Sequence, residues 1–134
     1  DNNVGRTGMG LIQFGYNLNQ SNSGILRKWL LLDSCSTNTV FNNCSLLGNI
    51  VACSDADFLH LTLNGGGSMN YFLHSTMKLF PIDVHYNEHS LGNIILLFDL
   101  MQVEDIVITL DNRKGYGFNV VYKSNLYIFL PFAT

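Results

Sequence analysis

The chain has 134 residues, 47% hydrophobic and only 13% charged, with a net charge of −3; this suits one domain with a core and excludes a disordered tail. Seven Lys plus Arg are scattered apart from Arg27-Lys28, so no basic stripe follows a phosphate backbone and nucleic acid is not an expected partner. The longest apolar run, residues 91–101, carries Asp99 and falls short of the ~20 residues of a membrane span, so no membrane partner is expected, whereas the shortage of charge points to surface covered by another chain or a second copy.

Residues 1–9 are polar and Gly-rich and are expected to form a loose N-terminal arm, with the folded domain over 10–134. No basic segment followed by an apolar stretch marks a signal peptide, and a start at Asp1 suits a fragment or processed product. Residues 10–18, GLIQFGYNL, alternate as a strand does. Residues 19–24, NQSNSG, are a turn by composition. ILRKWLLLD (25–33) reads as a strand buried on both sides in its last part. A short strand over 39–41 and a turn with a helical piece over 42–51 follow. Residues 57–86 read as consecutive strands, and NGGGS between apolar runs marks a hairpin, since glycine supplies positive φ without steric cost. Residues 90–105 read as a strand into a short helix, with Asn93 as a cap and Ile94, Leu97, Phe98 and Met101 on one face. Strands are expected over 105–111, 117–123 and 126–132, the first two joined by the hairpin loop DNRKGYG. The fold class is therefore all-β with one short helix.

Cys35, Cys44 and Cys53 are odd in number and nine apart, which rules out a closed disulfide set and fits no zinc pattern, so reduced thiols in a cytoplasmic protein are expected. His85 and His89 have helical metal-pair spacing, but the segment VHYNEHS lies between strand patterns and suits surface or turn histidines.

The most framed residue is Asp33, an aspartate ending the apolar run of WLLLDSCST. By composition alone it is a turn residue. In its wider context, WLLLDSCSTNTVFNN resembles the active-site segment of the aspartic proteases in copia-type retrotransposon polyproteins, where an apolar strand ends in Asp-Ser-Gly or Asp-Thr-Gly. DVHYNEHSLGNIILLFDLMQV (83–103) resembles that family's later block, and VITLDN and FNVVYK fall where it carries its closing strands. The likeness runs over roughly residues 10–132 in the family's order.

That resemblance implies a retropepsin-like closed β-barrel or sandwich, active as a homodimer on a polyprotein or peptide substrate, cytoplasmic or inside a virus-like particle. It implies catalysis by Asp33 with Ser34 supporting the loop, an active-site loop continuing through Cys35, Ser36 and Thr37, and a flap formed by Asn64, Gly65, Gly66, Gly67 and Ser68. Two Asp33 carboxylates meeting across the axis would share one proton, activate a water and need no metal or organic cofactor. Cys35 departs from the motif glycine. A thiol nucleophile at Cys35 would need a histidine base, which the spacing of His60, His74, His85 and His89 does not supply. A catalytically silent β module that dimerises or assembles is the alternative, and the geometry of the Asp33 loop divides the two.

Overall fold

The computed structural model describes residues 13–17, 25–34, 37–63, 65–111, 113 and 117–131. The expected N-terminal arm lies outside them, as do Cys35, Ser36 and Asn64 of the predicted site.

The described chain is mostly β. In order it runs β1 (Gln13–Asn17), a single helical turn α1 (Ile25–Lys28), β2 (Trp29–Asp33), β3 (Val40–Phe41), a 3₁₀ turn (Cys44–Leu46), β4 (Val51–Ala52), β5 (Leu59–Thr62), β6 (Ser68–Tyr71), β7 (Leu73–Thr76), β8 (Asp83–Tyr86), β9 (Asn93–Leu96), α2 (Leu97–Met101), β10 (Val107–Leu110), β11 (Phe118–Tyr122) and β12 (Asn125–Pro131). Ten strands form one sheet in the order β10-β11-β12-β1-β2-β9-β3-β8-β7-β4, and β5 and β6 form a separate two-stranded sheet. The expected all-β class with a short helix after β9 is what these residues form. A closed barrel is not: β10 and β4 stand at opposite ends of the strand order and do not pair with each other. With only two residues, Val51 and Ala52, β4 offers little edge on which closure could build.

Most strands follow from local pattern. The run WLLLD becomes β2 with burial alternating along it: Leu30 and Leu32 are fully buried, whereas Trp29, Leu31 and Asp33 on the other face are half-buried. The expectation of burial on both sides thus holds for one face only. The strand also begins at Trp29 rather than Ile25. Residues 25–28 turn helically, which aims the Arg27 carbonyl at the side chains of Asn43 and Asn93, each donating to it at 2.7 Å.

The core gathers Leu30 and Leu32 of β2, Phe41, Leu47, Met77, Phe80, Ile82, Val84, Ile95, Leu100, Val120 and Phe129. Leu100 is the fully buried residue of α2, while Phe98 and Met101 are exposed at 62% and 59%. Of the apolar face expected from Ile94, Leu97, Phe98 and Met101, half-buried Leu97 packs against the core, whereas Phe98 and Met101 do not. Ile94 belongs to β9, and a five-residue helix continuing directly from a strand takes its phase from that strand.

Between β11 and β12 the chain reverses at Lys123 and Ser124, with φ of 50° and 67°, the twist that a two-residue hairpin turn requires. The register places Val107 opposite Val121, and Val121 opposite Leu126, and all three are exposed. Together they form an apolar row on the outer face of this end of the sheet.

Candidate active site

Asp33 is the last residue of β2. That strand is flanked by β1, antiparallel, and β9, parallel, with Asp33 beside Gln13 on one side and Leu96 on the other. On its far side β9 pairs antiparallel with β3 through Val40 and Ile94. β2 and β3 therefore lie on opposite sides of β9, with Asp33 ending one and Val40 beginning the other. Side chains abreast in a parallel pair share a face, so Asp33 and Leu31 look out beside Leu96 and Ile94, all four half-buried. The carboxylate thus stands at the rim of an apolar, partly uncovered face in the middle of the sheet. Ser34 and Thr37 are exposed.

The loop after Asp33 ends on Thr39, which is buried. Its hydroxyl accepts a hydrogen bond from the Leu96 amide at 3.0 Å and donates to Asp99 Oδ2 in α2 at 2.7 Å. Its carbonyl accepts from the His85 amide of β8 at 3.1 Å.

At the other end of β9 lies Asn93, fully buried. It caps no helix, since α2 begins four residues later and has no side-chain cap. Its Nδ2 donates to the carbonyls of Arg27 (2.7 Å) and Trp29 (3.1 Å), and its Oδ1 accepts from the amides of Asn42 and Asn43, both at 3.0 Å. Every capacity of the amide is used. Asn42 Nδ2 donates to the Ser90 carbonyl at 2.9 Å, and the Ser90 hydroxyl meets Tyr71 Oη at 2.8 Å. Burial pushes the Tyr71 phenol up, partly opposed by that bond, so it stays a neutral hydrogen-bonding group. A continuous polar chain thus joins the root of the β5–β6 hairpin to the strand that carries Asp33.

The hairpin itself has the predicted form. β5 and β6 pair antiparallel from Leu59 with Tyr71 to Thr62 with Ser68. The turn is closed by Leu63 N–H donating to the Gly67 carbonyl at 2.7 Å. Gly65 and Gly66 have φ of 90° and 93° with open space where a Cβ would sit, so glycine is needed there for backbone freedom rather than room. Beyond its own ladder the hairpin is held near its root, where Asn87 Nδ2 donates to the Asn70 carbonyl at 2.8 Å. Gly65, Gly66, Gly67 and Ser68 are all exposed.

This geometry yields a direct expectation. Gly65→Ala or Gly66→Ala should weaken the hairpin locally by about 1–3 kcal/mol, the usual strain of a side chain at such φ. Because a Cβ at Gly65 or Gly66 would meet nothing within 4 Å, amide exchange across 59–71 should speed up while the global unfolding midpoint stays put. A shifted midpoint with unchanged local exchange would show that the tip is built into the core.

The remaining expectations concern cysteine and histidine. Cys44 and Cys53 are free thiols, and burial, reinforced by the Asp57 charge, raises the Cys53 thiol. His85 lies on β8 with Nε2 against the Asp57 carbonyl at 2.9 Å, and exposed His89 pairs with Glu88 at 3.7 Å. They therefore share no helix face. No cluster of three or more His, Cys, Asp or Glu that could hold a metal occurs among the described residues. Among them, no helix is long and apolar enough to cross a membrane. Two surface grooves, of about 560 and 210 Å³, run beside α2 and share Pro81, Gln102 and Val103. Neither is lined by Asp33.

Sequence reading missed Thr39, Asp99, the Asn42–Asn43–Asn93 cluster and the Tyr71–Ser90 contact. The signal was faint: Thr39, Asn42 and Asn43 bracket the buried pair Val40-Phe41, an unusual density of polar groups around a core strand. The chain matches no protein-family model, and no curated protein or solved structure is significantly similar to it.

Proposed function

We propose that the protein is a retropepsin-like aspartic endopeptidase of a copia-type retrotransposon polyprotein, working as a homodimer with one Asp33 from each copy. The observation that carries this reading is the position of Asp33, at the end of a central strand beside β9, with β3 on the other side of β9. A carboxylate held there by strands on both sides has a fixed position and an uncovered face on which its copy can stand. The separate glycine-tipped hairpin supports the same reading, because a detached two-stranded ribbon can close over an extended peptide and pair with its main chain. Of each carboxylate pair, one member would activate a water and the other would polarise the scissile carbonyl. Ser34 would support the loop, and Cys35, Ser36 and Thr37 would continue it. The domain would act in the cytoplasm or inside a virus-like particle.

Association is supported by the exposed row Val107, Val121 and Leu126 and by exposed Phe98 and Met101, which leave apolar surface for a second copy to cover. Sedimentation at micromolar concentration should give a dimer, and a folded monomer that cleaves peptide would reject the shared-site arrangement. The chemistry is tested with a peptide carrying a tetrahedral hydroxyl group in place of the scissile carbonyl. It should bind at least about 10²-fold tighter than the parent peptide, as transition-state analogues do. Equal affinity, with no cleavage of the precursor, would leave a dimerising β module without catalysis.

A further inference from the structure

We infer that Thr39 and Asp99 are positioning residues that hold the catalytic loop in register with β9, an inference that rests on the protease reading above. The strand ladder of β2 with β9 stops at Asp33, where the loop begins. Thr39, at the loop's far end, ties it to β9 and α2 with one atom. Its Oγ1 accepts from the amide of Leu96, the residue directly abreast of Asp33, and donates to the carboxylate of Asp99 in the first turn of α2.

Three features make this more than an incidental contact. Thr39 is only 3% exposed, so water is a poor substitute for either partner. The bond to Asp99 is to an ionisable carboxylate, which makes it shorter and stronger than a neutral one when the group is charged. The arrangement also needs a donor and an acceptor on a single short side chain, which serine retains and valine lacks. The His85 amide holds the Thr39 carbonyl from the opposite strand, leaving the hydroxyl little freedom to move. The distance between Asp33 and its copy is thereby tied to where α2 begins.

The inference concerns placement, so the test separates rate from binding. Misplacing a reacting group by about 1 Å lowers rate about 10²-fold. In the full chain, Thr39→Val should therefore lower kcat by about that factor while KM stays within about threefold, and Thr39→Ser should restore most of the rate. Asp99→Ala, at a half-buried position, removes one of the two bonds and leaves the one from Leu96, and should lower kcat about tenfold in the same pattern. Hydrogen exchange gives a readout independent of activity: amides over 33–39 should exchange faster in Thr39→Val and Asp99→Ala, and return to wild-type rates in Thr39→Ser. Wild-type kcat and wild-type exchange in Asp99→Ala would overturn the inference, even if Thr39→Val fails to fold. If the wild-type protein cleaves nothing, the protease reading fails and exchange alone decides. Loss of protection in Asp99→Ala then supports the loop anchor, and unchanged protection rejects it.

Discussion

In the Asp33→Asn protein, peptide cleavage is expected to fall by about 10²–10⁴-fold, the range carried by a positioned acid–base group, with the fold retained. Asparagine matches aspartate in shape and is polar, and Asp33 sits half-buried at a strand end, so packing and register change little. What is lost is a group able to take up and release a proton in each copy. In the proposed arrangement each site takes its pair from both chains, so a dimer with one mutant and one wild-type chain should be as inactive as the double mutant. Mixed dimers retaining half the activity would show that one carboxylate is enough and would remove the paired mechanism. Undiminished turnover in the homodimeric mutant would remove Asp33 from the chemistry altogether.

The largest effect on stability is expected at Asn93. Asn93→Leu removes a partner from four backbone groups at once: the carbonyl of Trp29, the amides of Asn42 and Asn43, and the carbonyl of Arg27, which keeps the bond from Asn43 Nδ2. Each buried group left without a partner costs about 1–3 kcal/mol, and some will find one another or water. A net loss of about 3–5 kcal/mol follows, a large share of the 5–15 kcal/mol that stabilises a typical domain. Urea denaturation should show it as a lower midpoint, and a change below about 0.5 kcal/mol, the ordinary surface value, would mean that the network relaxes without strain.

Asn93→Asp sharpens the same test. The carboxylate would face two carbonyl oxygens with no donor to offer, and burial without a cation raises its pKa in the folded state. The folded protein would then bind more protons than the unfolded one between the two pKa values, so stability should rise as pH falls through that window. Stability of Asn93→Asp that is flat across this window would contradict the buried geometry.

The strands were legible wherever one face of the chain is apolar and the other is not. β1, β5 to β8, β10 and β11 fall within the stretches read as strands, β12 starts one residue before its stretch, and the β5–β6 hairpin follows from NGGGS because only glycine takes φ near 90° freely. Asp33 was a site candidate only through the resemblance of WLLLDSCSTNTVFNN to a protease active-site segment, since by composition alone it is a turn residue. The site's support was not legible. Thr39, Asn42, Asn43 and Asn93 are spread over more than fifty positions, and their meaning comes from hydrogen bonds between segments 50 to 66 residues apart.

By itself, the sequence determined the all-β class and the glycine-tipped hairpin, because periodicity, turn chemistry and positive φ act over a few neighbouring residues. Only the tertiary structure decided that residues 25–28 turn helically, that Leu100 rather than Phe98 packs α2, and that the strand order stays open between β10 and β4. It also decided that Asn93 serves the backbone of two distant segments rather than a helix end. Each of these depends on which groups another part of the chain brings into reach, and a buried donor takes the partner that folding delivers.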